Sequence, residues 1–200
     1  MYTLINGSPK INLSNSNNFL NKLRPNLDEY NIFHLKKSKK EDVLKSIKKS
    51  EVIVFAFPLY VDSPPSQLLE FLDYIIDNKV NLKNKLVYII VNCGFREGIQ
   101  NKTAIDIMKN WCKKTNAKYA SSILIGAGEI VGKEKYRFIS NKATNKLKIF
   151  INYIKNKEFK PDIITTVDVL NNELYCMLAN ISWTNHGKKH GLTKTDIKKQ

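Results

Sequence analysis

Residues 2–18 read YTLINGSPKINLSNSNN, and this stretch decides the fold of the chain. Its apolar start is typical of a short buried β-strand, which ends at a polar loop rich in serine and asparagine. A helix is expected behind the loop, from about residue 16. In a parallel α/β domain, the N–H groups of such a loop and of the first helical turn point outward and can bind a phosphate. We therefore predict an anion-binding site beside Ser8.

The composition indicates a soluble globular protein of one domain. The 200 residues suffice for a full-sized core, with 42% hydrophobic and 26% charged residues. No apolar run approaches the ~20 residues of a membrane span, and the first residues lack the pattern of a secretion signal. The three cysteines, Cys93, Cys112 and Cys176, are scattered and without paired spacing. We therefore expect a cytoplasmic protein without a membrane span.

The net charge of +15 has two possible explanations. A chain this basic could bind nucleic acid or an anionic membrane surface. However, the lysines are spread over the whole length, and no basic stripes interleaved with aromatic residues occur. We interpret the charge as a solvated, lysine-rich surface that attracts anionic ligands, and we expect no nucleic-acid partner.

Strand and helix patterns alternate along the chain. Near-continuous apolar runs such as EVIVFAF at 51–57 and KLVYIIVN at 85–92 are typical of central strands covered on both faces. The predicted strands are 2–6, 30–35, 51–57, 85–92 and 119–125, and the predicted helices are 16–23, 41–49, 64–76, 103–115 and 138–155. Because crossovers between parallel strands are right-handed, these elements predict a five-stranded parallel α/β sheet with helices on both faces. The first and third strands each end in a special loop, and the order 2-1-3-4-5 would place these two ends side by side at the point where such sheets bind ligands.

The domain organisation follows from the same patterns. Residues 1–160 are predicted to form the α/β domain. Residues 161–200 are predicted to be a C-terminal helical extension with a basic tail, and apolar residues such as Val169, Leu174 and Ile181 indicate a helix at 167–183.

The first strand-end loop offers groups that suit a phosphate. Ser8, Ser14 and Ser16 bring hydroxyl groups, Asn15 an amide and Lys10 a positive charge. No Walker signature is present, which disfavours the phosphates of a nucleoside triphosphate. The alternative is an ordinary polar turn in which Ser16 caps the helix.

The second loop, after the third strand, begins Pro58-Leu59-Tyr60-Val61. Apolar side chains in a loop need a partner that covers them. A flat aromatic ligand would be such a partner, and backbone groups of the loop would be free to bind its polar edge. The alternative is that Tyr60 covers the core or a subunit interface.

The third loop, after the fourth strand, reads NCGFREG at 92–98. Its two glycines permit close approach of the backbone, and Asn92 and Glu97 are polar groups at the mouth of the predicted site. Cys93 is either a redox thiol or a small core residue, the commoner role at a buried strand end. The segment 126–129, after the fifth strand, either completes the row of loops or is only a turn.

Taken together, the three loops resemble those of a known family. GSPKINLSNS at 7–16 is similar to the phosphate loop of the flavodoxin-like NAD(P)H-dependent FMN reductases, in which GSPR and a short spacer precede Ser-Asn-Thr. PLYVDSPPSQLLEFLD at 58–73 resembles that family's Pro-x-Tyr loop and following helix, and NCGFREG resembles its Cys-Gly-Phe-x-Glu loop. The motifs occur in order at consecutive strand ends, although Lys10 stands where the family usually has an arginine.

The resemblance implies a flavodoxin-like three-layer sandwich that binds FMN and uses NADH or NADPH as electron donor. It also implies a homodimer that buries the helix after the second loop. The residues that it assigns to the FMN phosphate are Ser8, Lys10, Ser14, Asn15 and Ser16. Those assigned to the isoalloxazine ring are Pro58, Leu59, Tyr60 and Val61 on one side, and Asn92, Cys93, Gly94, Phe95 and Glu97 on the other.

The implied activity is hydride transfer from NAD(P)H to the flavin and onward electron transfer to a small acceptor such as a quinone or another flavin. No catalytic acid or base is expected, because no Ser-His-acid set is apparent. No metal site is expected either, because His34 lies on a strand and His186 and His190 have no acidic or cysteine partners nearby. Two alternatives remain. One is a flavin-binding electron carrier or redox sensor that does not oxidise NAD(P)H, and the other is a nucleic-acid binder that has the fold without flavin.

Overall fold

The computed structural model describes residues 1–10, 14–167, 171–193 and 196. Within these residues, six parallel strands form one sheet of order β2-β1-β3-β4-β5-β6. The strands are β1 Tyr2–Asn6, β2 Tyr30–His34, β3 Val52–Pro58, β4 Leu86–Asn92, β5 Lys118–Ile125 and β6 Ile163–Thr165. The predicted order of the first five strands is confirmed. β1 lies beside β3, with Asn6 opposite Ala56, so the loops that follow these strands start side by side.

Helices cover both faces of this sheet. They are α1 Asn15–Leu23, α2 Lys40–Lys49, α3 Ser66–Asp77, α4 Lys102–Thr115 and α5 Arg137–Lys155. On one face, Phe55 packs edge-on against Trp111 of α4, with the ring centroids 5.5 Å apart. On the other face, Tyr88 packs edge-on against Phe150 of α5 at 6.1 Å. Because successive strand residues point to opposite faces, the continuous apolar runs of β3 and β4 serve two separate cores.

The sixth strand corrects the predicted count of five. β6 pairs in parallel with β5, with Ile163 opposite Ile123 and Thr165 opposite Ile125. It lies in the segment predicted to be a helical extension, and the compact unit that contains the sheet runs through Val167. Three residues are too few for an alternating pattern to distinguish a strand from a loop.

One carboxylate anchors the start of β6. Asp162 accepts hydrogen bonds from Lys109 Nζ at 2.7 Å, from the backbone N–H of Ser122 at 2.9 Å and from the hydroxyl of Tyr119. Residues of α4 and β5 thus hold the edge strand by polar contacts, which a search for apolar periodicity does not detect.

The second compact unit, from residue 168 onward, contains α6, Asn172–Lys189. The side chain of Asn171 caps it by accepting a hydrogen bond from the N–H of Leu174 at 2.8 Å. The predicted helix 167–183 corresponds to α6, although its residues 168–170 lie outside the described residues. None of the helices in the described ranges is long and apolar enough to cross a membrane.

Candidate functional site

A cavity of about 300 Å³ opens where β1, β3 and β4 end. Parallel strands present their carboxyl ends at one edge of the sheet, so loops far apart in sequence meet there. The volume is at the lower end of the range for small-molecule sites. The lining residues are Ser8, Lys10, Ser14, Asn15, Ser16, Pro58, Leu59, Tyr60, Asn92, Cys93, Gly94, Glu129 and Lys133.

The structure brings together all but three of the residues that the resemblance assigns to the cofactor. The exceptions are Val61, Phe95 and Glu97, which do not line the cavity. Val61 is 99% exposed and Phe95 is 57% exposed. Glu97 instead forms an ion pair with the neighbouring Arg96, with 2.6 Å between Oε1 and Nη2.

The position of Val61 follows from a tight turn. Tyr60 and Ser63 exchange backbone hydrogen bonds of 2.9 and 3.0 Å, which places Val61 and Asp62 at the tip. Both tip residues have left-handed backbone conformations, with φ of 48° and 56°. A β-branched residue rarely adopts this conformation, so the letters Val-Asp do not predict such a turn.

Two lining residues come from a fourth loop. Glu129 and Lys133 follow β5, and they bring one acidic and one basic side chain to the cavity. Lys133 belongs to no motif and was missed by the sequence analysis. The available signal was its position, since it follows the carboxyl end of a parallel strand that lies beside β4.

Ser14 is the N-cap of α1. Its Oγ accepts a hydrogen bond from the N–H of Asn17 at 3.1 Å, and the helix begins at Asn15. The alternative prediction that Ser16 is the cap was therefore wrong. The N–H groups of Asn15 and Ser16 belong to the first helical turn, where the helix dipole favours a negative charge.

A buried amide contacts the first strand-end loop. Asn6, the last residue of β1, is fully buried. Its Oδ1 accepts from the N–H of Ser8 at 2.9 Å, and its Nδ2 lies 3.4 Å from Ser14 Oγ. Nδ2 also lies 3.1 Å from Nδ1 of His34, at the end of β2. Asn6 therefore contacts both ends of the loop, a role that depends on strand pairing and was not predicted.

A second amide joins the other loops. The Nδ2 of Asn92 donates to Ser16 Oγ at 3.2 Å and to the carbonyl oxygen of Phe57 at 3.0 Å. Gly128 packs directly on this side chain, because a Cβ built at Gly128 would lie 2.7 Å from Asn92 Oδ1. This one amide thus hydrogen-bonds the end of β3 and the start of α1 and contacts the segment that follows β5.

Cys93 is a buried thiol. Its Sγ lies 3.7 to 3.8 Å from the carbonyl oxygens of Phe95, Glu97 and Ile125 and accepts from Asn101 Nδ2 at 3.4 Å. Burial raises the pKa of the Cys93 thiol above its ordinary value. Since the thiolate is the reactive form, this environment favours the interpretation of Cys93 as a small core residue.

The site is built for binding rather than for acid–base chemistry. Hydroxyl groups, a helix N-terminus and Lys10 form one end, and Pro58, Leu59 and Tyr60 form a less polar wall. In the part of the chain that the structure describes, no three His, Cys, Asp or Glu side chains are grouped to hold a metal ion. The arrangement suits a ligand with an anionic end and a flat body.

A comparison with protein families identifies a match over about the first half of the chain. Residues 3–105 match the family described as NADPH-dependent FMN reductase, and this segment contains all three loops predicted to form the site. A comparison with curated protein sequences gave no significant match.

Solved structures share the fold of this chain. An NADPH-quinone reductase from P. pentosaceus is 18% identical with a TM-score of 0.59, covering 77% of this chain and 97% of its own. An NADH:FMN oxidoreductase in its apo form is 14% identical with a TM-score of 0.61, covering 78% and 89%. The flavodoxin of Streptococcus pneumoniae TIGR4 is 15% identical with a TM-score of 0.56, covering 78% and 99%. At these identities the similarity shows a flavodoxin-like fold.

Proposed function

Because the chain belongs to the NADPH-dependent FMN reductase family, we propose that it is an FMN-dependent oxidoreductase that accepts a hydride from NADPH or NADH and passes electrons to a small acceptor. The acceptor is a quinone, a free flavin or a similar molecule. The observation that carries the proposal is the cavity at the ends of β1, β3 and β4, which combines an anion cradle with a less polar wall.

The lining residues fit the phosphate of FMN. Ser8, Ser14 and Ser16 supply hydroxyl donors around the N-terminus of α1, a position that stabilises a dianion through both hydrogen bonds and the helix dipole. Lys10 supplies a positive charge in place of the family's usual arginine. A lysine attracts phosphate as a point charge, without the paired hydrogen bonds of a guanidinium group.

The lining residues also fit a flat ring. Pro58 fixes the backbone at the end of β3, and Leu59 and Tyr60 present apolar and aromatic surface to the cavity. On the opposite side, Asn92 is fixed by two hydrogen bonds, and Gly94 has no side chain to prevent close approach. Val61 and Phe95, both exposed at neighbouring loops, are available to contact a second substrate.

When bound, FMN supplies the hydride acceptance and electron release, so no protein acid or base is needed for the redox step. The chain contributes affinity for the phosphate, orientation of the ring and exclusion of water from one ring face. The buried, protonated thiol of Cys93 is a part of the wall and not a nucleophile.

We further propose that the protein is a homodimer in the cytoplasm. Half-buried apolar residues of α3 and α4, including Leu69, Ile76 and Ile107, line a groove of about 190 Å³ on the outer surface of the sheet domain. A second copy of the chain would cover this groove. Light scattering tests the proposal, because Leu69→Lys is expected to yield monomers while Lys83→Glu, away from the groove, is not.

The three unpaired cysteines support the cytoplasm as the location, because it is a reducing compartment.

The function is tested by a spectrum and a rate. Protein purified without added flavin, or incubated with FMN and desalted, is expected to show flavin absorbance in the visible region. It is then expected to oxidise NADPH or NADH in the presence of a quinone. Protein that takes up no FMN would remove the proposal. Protein that holds FMN but oxidises neither nucleotide would instead be the electron carrier considered above.

A further inference from the structure

The buried side-chain amide of Asn6 can hydrogen-bond to the groups around it in only one orientation. Asn6 Oδ1 accepts from the N–H of Ser8 at 2.9 Å, while Nδ2 faces Ser14 Oγ at 3.4 Å and His34 Nδ1 at 3.1 Å. A backbone N–H can only donate, so the Ser8 contact fixes the amide with its oxygen towards the loop. The amide nitrogen is then necessarily directed at His34.

This orientation fixes the state of His34. An amide nitrogen has no lone pair to offer, so His34 Nδ1 must be the acceptor. The imidazole is therefore neutral, with its proton on Nε2. The backbone of His34 is held as well, because its N–H donates to Ser38 Oγ at 3.2 Å and its carbonyl accepts from Lys37 and Ser38 at 2.9 Å. Asn6 and His34 are also direct neighbours across β1 and β2.

We propose that His34 is a proton-controlled switch of the phosphate loop: the neutral imidazole holds Asn6 in the orientation that anchors Ser8, and the imidazolium releases that anchor. The inference rests on the proposed function, since the ligand regulated at this loop is the FMN phosphate. His34 is a positioning residue, because it acts on the loop through Asn6 and lines no part of the cavity.

The switch follows from hydrogen-bond polarity. Protonation puts a donor on His34 Nδ1, 3.1 Å from a second donor. The amide relieves this conflict by turning over, which directs Oδ1 at His34. The turned amide then presents its NH₂ group to the N–H of Ser8, and the 2.9 Å hydrogen bond is lost. While His34 is charged, either orientation of Asn6 leaves at least one hydrogen-bond donor unpaired.

The surroundings of His34 set the pH range. Burial lowers the pKa of His34 below its ordinary value of 6.5, and Lys37 on the following turn lowers it further. Among the described residues, Lys37 is the charged side chain that shifts the pKa of this imidazole. The neutral form, and with it the anchored loop, therefore predominates at neutral pH and is lost only as the pH falls through the lowered pKa of His34, which lies below 6.5.

Electrostatics alone predicts the opposite behaviour. An imidazolium near the cradle attracts a phosphate, so a purely Coulombic effect would tighten FMN binding as His34 becomes charged. The switch predicts weaker binding at low pH. Whether charged His34 weakens or strengthens FMN binding at low pH therefore distinguishes the switch from a purely Coulombic effect.

The test compares the FMN dissociation constants at pH 5.5 and 7.5 for the wild type and for His34→Asn, by quenching of flavin fluorescence. Asparagine can place Oδ1 near the position of Nδ1, so it keeps the acceptor but cannot titrate. The loss of one hydrogen bond corresponds to a change of about three- to tenfold in affinity. We expect the ratio of the constants at the two pH values to be larger in the wild type, by up to that factor. The ionisation of the FMN phosphate itself affects both proteins equally.

A second measurement needs no FMN. The chain has three histidines, and the NMR signal of His34 is identified by its absence from His34→Asn. Removing the Nδ2 donor with Asn6→Ala is expected to raise the pKa of His34. Asn6→Asp keeps the side-chain size and can accept from the imidazolium, so it is also expected to raise the pKa of His34. This variant replaces Asn6→Ala if the alanine variant does not fold.

The outcomes separate the switch from the function. Protein that binds no FMN would overturn the proposed function, and the switch would then be decided by the NMR titration. Equal pH ratios for the wild type and His34→Asn, or a His34 pKa unaffected by the Asn6 substitutions, would overturn the switch alone.

Discussion

Adding one methyl group at Gly128 should disturb the whole candidate site. A Cβ at this position would lie 2.7 Å from Oδ1 and 2.9 Å from Cβ of Asn92, closer than packed atoms approach. Gly128 is itself held by a 2.9 Å hydrogen bond to the carbonyl of Cys93, so we expect the Asn92 side chain to move. That movement breaks its hydrogen bonds to Ser16 and Phe57.

The size of the effect follows from those two bonds. Each buried hydrogen bond is worth about 0.5–1.5 kcal/mol, so Gly128→Ala is expected to lower the free energy of unfolding by about 1–3 kcal/mol. Because Ser16 loses its support at the start of α1, FMN affinity should fall as well, by about three- to tenfold for one weakened contact.

Urea denaturation and FMN titration measure the two effects, and Gly94→Ala is the matched control for stability. A Cβ at Gly94 meets no atom within 4 Å, so this variant is expected to unfold within about 0.5 kcal/mol of the wild type. The reasoning would be refuted if Gly128→Ala were as stable as Gly94→Ala and bound FMN as tightly as the wild type.

Three further predictions concern single residues. Val61→Asn should raise the free energy of unfolding by about 1 kcal/mol, because asparagine tolerates the positive φ at this exposed turn; a less stable variant in urea would contradict this. Burial alone would raise the pKa of Asp162, but the hydrogen bonds from Lys109, Tyr119 and Ser122 outweigh burial and hold this pKa below its ordinary value. The stabilisation by the Asp162 carboxylate is therefore complete above about pH 4 and is lost as the pH falls through the folded-state pKa. Asp162→Asn should therefore lower the free energy of unfolding at pH 7 by about 1–3 kcal/mol and remove this acid dependence. If the variant and the wild type lost stability in parallel as the pH falls, the prediction would be wrong. A thiol reagent should modify the exposed Cys176 rapidly and the buried Cys93 and Cys112 only on unfolding, since burial raises the pKa of Cys112 to about 12; rapid modification of Cys93 would show that its thiol is accessible.

The sheet could be predicted where the sequence carries strong local signals. The apolar runs of β3 and β4 are buried on both faces and therefore stand out, and the predicted order placed the ends of β1 and β3 side by side, where such sheets bind ligands. β6 carries no comparable signal, because three residues anchored by Asp162 owe their position to polar contacts with α4 and β5. The edge of the sheet was therefore missed.

The site could be predicted where a residue lies at the end of a strand or within two residues of it. Ser8, Tyr60 and Asn92 meet because parallel strands end at one edge. Val61 is next to Tyr60 in sequence, yet the left-handed turn directs it into solvent. Asn6 looks like an ordinary strand residue, since its role depends on its pairing with His34 of β2. Contacts that depend on strand register and turn geometry cannot be predicted from the local composition.

A titration with FMN and riboflavin tests the central claim most directly. The two ligands share the ring system and differ in the phosphate, so the difference in affinity measures the cradle formed by Ser8, Ser14 and the start of α1. One or more hydrogen bonds to a charged phosphate are worth about 1.5–3 kcal/mol each. The account predicts one FMN bound per chain, at least about tenfold more tightly than riboflavin. Equal affinity for the two ligands, or binding of neither, would contradict it.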